Sequence, residues 1–352
     1  MRAVVLESFG SVPVLRDVPE PACPPDGALV RVEATGLCRS DWHVLAGHDP
    51  DVLLPHVPGH EFAGVVEQVG SGVRGWRPGD RVTAPFVNAC GRCGPCRAGE
   101  QQVCADQVQP GFSYWGSFAE LVVVERAEVN LVRLPPGVDA VTAAALGCRF
   151  ATAFRAVAHV GRVAPGEWVA VHGCGGVGLS AVLVAVAAGA RVVAVDVRRP
   201  ALDLALAAGA EAVVETARGE PPLDVAARVR DAAGRGVELS LDALGSPATC
   251  AASIGCLAPR GRHVQVGLLP DALGWPAVPM HLVVSGELEV LGSHGMAAWR
   301  YPELLGLVAA GRLRPGDLVT RRIGLDAAGA ELAAMGNAPP TGITVALPAG
   351  TP

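Results

Sequence analysis

Between residues 168 and 266 short apolar runs alternate with Ala-rich stretches of helical length, and no other feature restricts the fold as much. Trp168–His172 leads to a helical stretch at 176–188, Arg191–Asp196 to one at 200–208, and Glu238–Ala243 to one at 247–257, with Gly261–Val266 closing the series. Strands alternating with helices build βαβ units and a parallel sheet, so an α/β, doubly wound domain is expected here.

The first joint of that series carries chemistry. His172-Gly173-Cys174-Gly175-Gly176-Val177-Gly178 follows a strand and opens a helix, which puts G-x-G-x-x-G in the context that binds a dinucleotide. Gly173 permits the tight turn, Gly175 lets the backbone approach a pyrophosphate, and Gly178 lets the helix pack on the sheet. The first turn, with Gly176 and Val177, offers free N–H groups and the positive end of the helix dipole to phosphates. Asp196 ends the next strand, where a carboxylate accepts hydrogen bonds from the adenosine ribose and repels a 2′-phosphate. NAD is therefore expected over NADP, a preference that Arg198 and Arg199 blunt.

Residues 1–150 have a different texture. Ala3–Leu6, Ala28–Ala34, Ala63–Val69, Arg81–Ala84 and Ala119–Val124 read as short β segments between turns such as Pro24-Pro25-Asp26-Gly27 and Arg77-Pro78-Gly79-Asp80. A partly open barrel is expected for 1–150, the parallel sheet for 151–292, and a mixed return for 293–352 with Thr344–Leu347 as its last strand.

All 28 cationic side chains are Arg, and the chain contains no Lys. A phosphate loop of the G-x-x-x-x-G-K type and Schiff-base catalysis are thereby excluded, as is any oxidoreductase that relies on a Tyr/Lys pair. The net charge of −6 gives no reason to expect nucleic acid as a partner. Val177–Val195, the most membrane-like run, is broken by Gly189 and Arg191 and reads as a buried helix leading into a strand. The start, MRAVVLESFG, has no apolar h-region, so no secretory signal is expected. Ten Cys in such a chain point to metal or catalytic thiols in a cytoplasmic setting.

Two groups of metal-ligand residues stand out. Cys90, Cys93, Cys96 and Cys104 form C-x2-C-x2-C-x7-C in a Gly-rich loop near 88–106. Four thiolates this close suit one tetrahedral Zn²⁺, with an iron–sulfur cluster as the rival on ligands alone. No ligand position is left open, so the site is structural. The second group is scattered: Cys38, Ser40, Asp41 and His43 lie in one hexapeptide, His60 and Glu61 follow Gly59, and Cys148 stands just before the nucleotide-binding half. Three protein ligands and an open fourth position are what a catalytic zinc requires. Singly, Cys148 reads as a small core residue, His60 as a turn histidine and Ser40 as a cap.

Together, Gly36-Leu37-Cys38-Arg39-Ser40-Asp41 with His43, Gly59-His60-Glu61, the four-Cys loop, Cys148 and the Gly173–Gly178 loop resemble the zinc-dependent medium-chain alcohol dehydrogenases, essentially end to end. The resemblance implies a GroES-like partly open β-barrel catalytic domain interrupted by a Rossmann domain, with the active site in the cleft between them. It implies Cys38, His60 and Cys148 as ligands of the catalytic zinc, Glu61 as an occasional ligand, and Asp41 as the residue orienting an imidazole. Arg39 would meet the cofactor pyrophosphate, Thr152 and Val177 would press on the nicotinamide, and backbone at Val266, Gly267 and Leu268 would hold its carboxamide. The zinc would lower the pKa of an alcohol, whose proton would pass from Ser40 through the cofactor ribose to His43.

The match thins in places. Many relatives carry an Arg shortly before the last strand, where this chain has Pro340-Thr341-Gly342-Ile343. Trp42, Trp115, Leu268 and Met296 are candidate pocket walls for a small to medium apolar alcohol or carbonyl substrate. A polyol or sugar dehydrogenase is the alternative within the superfamily, and a non-catalytic nucleotide-sensing zinc protein the alternative outside it. Chain length favours a homotetramer over a dimer, with Leu288–Gly292 as a strand for pairing between copies.

Overall fold

A computed structural model of the chain describes residues 1–269, 275–337 and 340–349. Six parallel strands lie in the order Ala212–Glu215, Arg191–Asp196, Trp168–His172, Val237–Asp242, Leu257–Gln265, Glu289–Gly292. This sheet belongs to a compact unit covering residues 152–294. Its chain order reverses between Trp168–His172 and Val237–Asp242. In open parallel sheets a dinucleotide binds at such a switch point, beyond the carboxyl ends of the strands.

Trp168–His172 is buried along its whole length, as a central strand covered on both faces must be. The four expected strands are present, and Leu257–Gln265 begins earlier than expected because Leu257 already pairs with Val237 before the register shifts. Ala212–Glu215 and the following helix Pro222–Ala233 were not expected. The strand is short and half-buried, and the helix hides only a narrow stripe, Val225, Ala226 and Val229, beneath a charged face.

Residues 1–151 and 295–352 make the second unit. Its sheet runs Val319–Gly324, Ile343–Leu347, Ala28–Leu37, Glu61–Val69, Arg81–Thr83, Val132–Arg133, with Leu121–Val124 also paired to Ala28–Leu37. Pairing is antiparallel except between the first two strands. Ile343–Leu347 lies antiparallel to Ala28–Leu37, which ties the end of the chain to its beginning.

Two strands of this unit are longer than expected, and both extensions reach the candidate metal ligands. Ala28–Leu37 continues three residues past Ala34, and Glu61–Val69 starts two residues before Ala63. Gly36 pairs with Glu61, so Cys38 and His60 lie just beyond neighbouring strand ends. Helix Ala140–Ala144, capped by the Asp139 carboxylate on the Thr142 N–H, packs over both strands. It runs into a widened π-helical turn, Leu146–Phe150, that carries Cys148.

Candidate functional site

Cys38, His60, Glu61 and Cys148 converge in the second unit, with one ligand atom from each within 4.8 Å of the others. Asp41 braces two of them at once. Its Oδ2 accepts the Cys38 N–H at 2.9 Å, while Oδ1 accepts the Gly59 N–H at 3.0 Å and bonds His60 Nδ1 at 2.8 Å. Since Asp41 is fully buried, the carboxylate fixes Nδ1 as the protonated nitrogen and leaves the Nε2 lone pair available. Nε2 is buried without a hydrogen-bond partner. A buried acceptor left open beside two thiols is what a soft or borderline cation would satisfy, and the donor set of two sulfurs and one nitrogen suits Zn²⁺. A hydrogen bond from Cys148 and the neighbouring His60 hold the Cys38 thiol well below its ordinary value, against the effect of burial. Burial disfavours a charged His60, but Asp41 and Cys38 outweigh it and draw a proton to Nε2, which a bound cation would displace.

Glu61 sits behind these ligands with its carboxylate already engaged. Oε1 accepts from the N–H groups of Cys148 (3.2 Å) and Arg149 (2.9 Å) and from Arg149 Nε (3.0 Å), and Oε2 accepts from Arg149 Nη2. The turn bearing Cys148 is pinned from its other side by Tyr301, whose buried hydroxyl donates to the Gly147 carbonyl at 2.9 Å.

Helix Arg39–Leu45 starts directly after Cys38. Ser40 Oγ lies 3.8 Å from Cys38 Sγ, and His43 is three residues further along the same helical face. His43 Nδ1 shares a hydrogen bond of 2.9 Å with Nδ1 of exposed His48. Burial, Arg39 and His48 together lower the His43 pKa, so its imidazole is neutral near pH 7. The Arg39 guanidinium stacks 3.8 Å above the Trp42 ring and donates to the Met335 carbonyl. Trp42 and Trp115 are partly buried against the local core, whereas Met296 is buried outright.

The second thiol group is local. Cys90, Cys93, Cys96 and Cys104 bring their sulfurs within 4.8 Å of one another, and none is in a disulfide. Backbone N–H groups of Arg92 and Cys93 point at Cys90 Sγ, and that of Cys90 at Cys104 Sγ. Such donors favour thiolate; the Cys96 and Ala105 N–H groups bring Cys93 down to about 6. The cluster packs with little besides Ala89 and Val129, so the lobe has almost no apolar core of its own.

In the parallel-sheet unit Gly173 has φ +91°, and a Cβ at Gly178 would lie 1.8 Å from the Gly173 carbonyl oxygen. Only glycine allows that approach of helix to loop. A Cβ at Gly175 would meet nothing within 4 Å, so the loop is open above that position. Asp196 receives the Cys174 N–H at 2.7 Å and the Arg198 N–H at 2.8 Å, which sets its carboxylate beside the Gly-rich turn. The N–H groups of Val266 and Gly267 donate to the Asp242 carbonyl, and Leu268 is exposed. Thr152 Oγ1 is buried without a partner.

Residues 24–136 match the family of the alcohol dehydrogenase GroES-like domain, and residues 176–310 match the zinc-binding dehydrogenases. An alcohol dehydrogenase of Geobacillus stearothermophilus is 34% identical over 317 residues, covering 89% of this chain and 90% of that one. The chain belongs to the zinc-binding alcohol dehydrogenase family. An NAD-dependent alcohol dehydrogenase of Sulfurisphaera tokodaii is 32% identical over 93% of this chain and 94% of its own. Among solved structures, the alcohol dehydrogenase of Thermus sp. ATN1 superposes with a TM-score of 0.88 at 32% identity, covering 99% of both chains. A zinc-binding dehydrogenase of Sinorhizobium meliloti, solved with NADP, gives 0.85 at 31% identity over 99% of both.

Three residues of this family member were missed in the sequence. Arg149 had a signal: it is the only charge in the run 140–154, and a charge in so apolar a stretch needs a buried partner. Tyr301 and His48 had none, since their partners are set by the fold.

Proposed function

We propose that this chain is a zinc-containing, NAD(H)-dependent oxidoreductase that interconverts alcohols with aldehydes or ketones, acting on small to medium apolar substrates. The observation that carries the reading is the Cys38–His60–Cys148 cluster, with Asp41 fixing the His60 tautomer and Nε2 left without a partner. Relatives named alcohol dehydrogenase along most of the chain support it. Cys38, His60 and Cys148 would hold the catalytic zinc, and Cys90, Cys93, Cys96 and Cys104 a structural one. When bound, zinc supplies a Lewis acid that makes an alcohol hydroxyl acidic, and NAD⁺ supplies the hydride acceptor.

The chain's own groups handle the proton. Ser40 Oγ, next to Cys38, accepts it from the substrate hydroxyl. His43, one turn along the helix and neutral near pH 7, takes it onward at an imidazole nitrogen, and its exposed partner His48 opens the route to water. This route needs no Lys. Trp42 and Trp115 supply the apolar wall for the substrate. The loop Gly173–Gly178 and the helix it opens receive the pyrophosphate, and Asp196 the adenosine ribose. Arg39 and Arg198 are assigned to the phosphate and adenosine ends, and Thr152, Val177 and Val266–Leu268 to the nicotinamide.

A homo-oligomer completes the reading. Strand Glu289–Gly292 is at the edge of the parallel sheet with Val290 exposed, and the helix Met280–Gly286 before it buries none of its residues. That edge is assigned to pairing with its copy, and the assembly to a tetramer, which light scattering would weigh directly. The cytoplasm is the proposed location. Among the described residues no helix is long and apolar enough to cross a membrane.

An NADH-absorbance screen over primary, secondary, aromatic and polyol substrates tests the function. Turnover of apolar alcohols is expected. Turnover confined to polyols would replace the substrate class, and no turnover by zinc-replete protein would overturn the activity.

A further inference from the structure

We propose that Arg149 is a positioning residue that holds Glu61 out of the metal's coordination sphere, so that the ligands are Cys38, His60 and Cys148 alone. The inference rests on the zinc site proposed above. It differs from the expectation that Glu61 exchanges onto the metal.

The geometry points this way from three sides. A carboxylate has about four lone-pair positions, and four N–H groups from Cys148 and Arg149 are directed at those of Glu61. Turning Glu61 to the metal would break a bidentate ion pair and strand a guanidinium that is itself buried. Space is reserved for the pair as well. A Cβ at Gly36 would lie 2.6 Å from Glu61 Oε2 and 2.9 Å from Arg149 Nη2, and one at Gly147 would lie 2.9 Å from Glu61 Cα. No side chain fits at either position without moving the pair, so both bare backbones form its slot. Charge supplies the third side. With Arg149 neutralising Glu61, the thiolates of Cys38 and Cys148 match a divalent cation, and the fourth position suits a substrate oxygen. Without Arg149 an uncompensated carboxylate would stand within 4.8 Å of the other ligand atoms and compete for that position.

Binding of imidazole to the zinc-loaded, cofactor-free protein reads occupancy of the fourth position directly, with zinc content and thermal unfolding measured alongside. Glu61→Gln is expected to leave imidazole affinity unchanged, because Glu61 is not a competitor in the native chain. Arg149→Gln is expected to lower the affinity several-fold by freeing Glu61, and the double variant Arg149→Gln/Glu61→Gln to restore it. A merely structural role for Arg149 would lower the unfolding temperature without that restoration. A rise in affinity in Glu61→Gln would overturn the proposal, as would native affinity in folded, zinc-replete Arg149→Gln. Should Arg149→Gln fail to fold, Arg149→Lys, which keeps a charge but cannot make the bidentate pair, takes its place with the same expectation. Absence of imidazole binding in the native protein would instead remove the zinc-site reading.

Discussion

Asp41→Asn should loosen the catalytic zinc while sparing the structural one. The carboxylate accepts three hydrogen bonds, from Cys38 N–H on one oxygen and from Gly59 N–H and His60 Nδ1 on the other. An amide has only one oxygen, so one side of the bracket must face an NH₂ group. If the oxygen keeps Gly59 and His60, the Cys38 N–H is left unsatisfied, at about 1–3 kcal/mol; the opposite orientation strands two donors and costs about twice that. Partners that orient a ligating His typically contribute 10–100-fold to metal affinity, about 1.4–2.8 kcal/mol. The two estimates agree, so a loss of roughly 10- to 100-fold in zinc affinity is expected. Competition with a chelator, read as zinc released per chain, measures it. The four-Cys lobe does not touch Asp41 and should keep its zinc in both proteins. Release from Asp41→Asn at the native chelator concentration would refute the bracing role.

Other expectations follow from the same structure. Metal analysis of the native chain should find about two Zn²⁺; a value near one would remove one of the two sites. Asp196→Gly should shift the kcat/KM ratio several-fold toward NADP if the proposed role of its charge against a 2′-phosphate holds, and an unchanged ratio would clear Asp196 of that role. His172 is buried, and burial lowers its pKa from 6.5 to about 4, against the pull of Asp242. The neutral form is therefore favoured in the folded state. Its contribution of about 3 kcal/mol is complete above pH 6.5 and is lost as the pH falls from there toward 4. Urea midpoints for the native chain and His172→Leu should differ in pH slope across that window, and parallel slopes would contradict the assignment.

Two features of this protein are written in short stretches of the chain. The Gly173–Gly178 loop works through local backbone geometry, a positive φ and the contact of Gly178 with Gly173, so five or six residues specify it. The four-Cys lobe is similar: its spacing closes through neighbouring turns, and all its sulfurs come from 15 consecutive positions. The parallel sheet was legible from the alternation of apolar strands and helices, except for Ala212–Glu215, which is too short and too exposed to leave a pattern.

The proposed catalytic zinc cluster is of another kind. Cys38 and His60 meet because Gly36 pairs with Glu61, and Cys148 arrives on a helix packed over both strands. Only the tertiary structure decides that Glu61 answers to Arg149, 88 residues away, or that Tyr301 holds Gly147 across 154 residues. A carboxylate in a sequence carries no record of which donors will fill its lone pairs. Burial makes that choice, because in a dry interior a charge left without a partner is costly, and the partner must come from whatever the fold brings near.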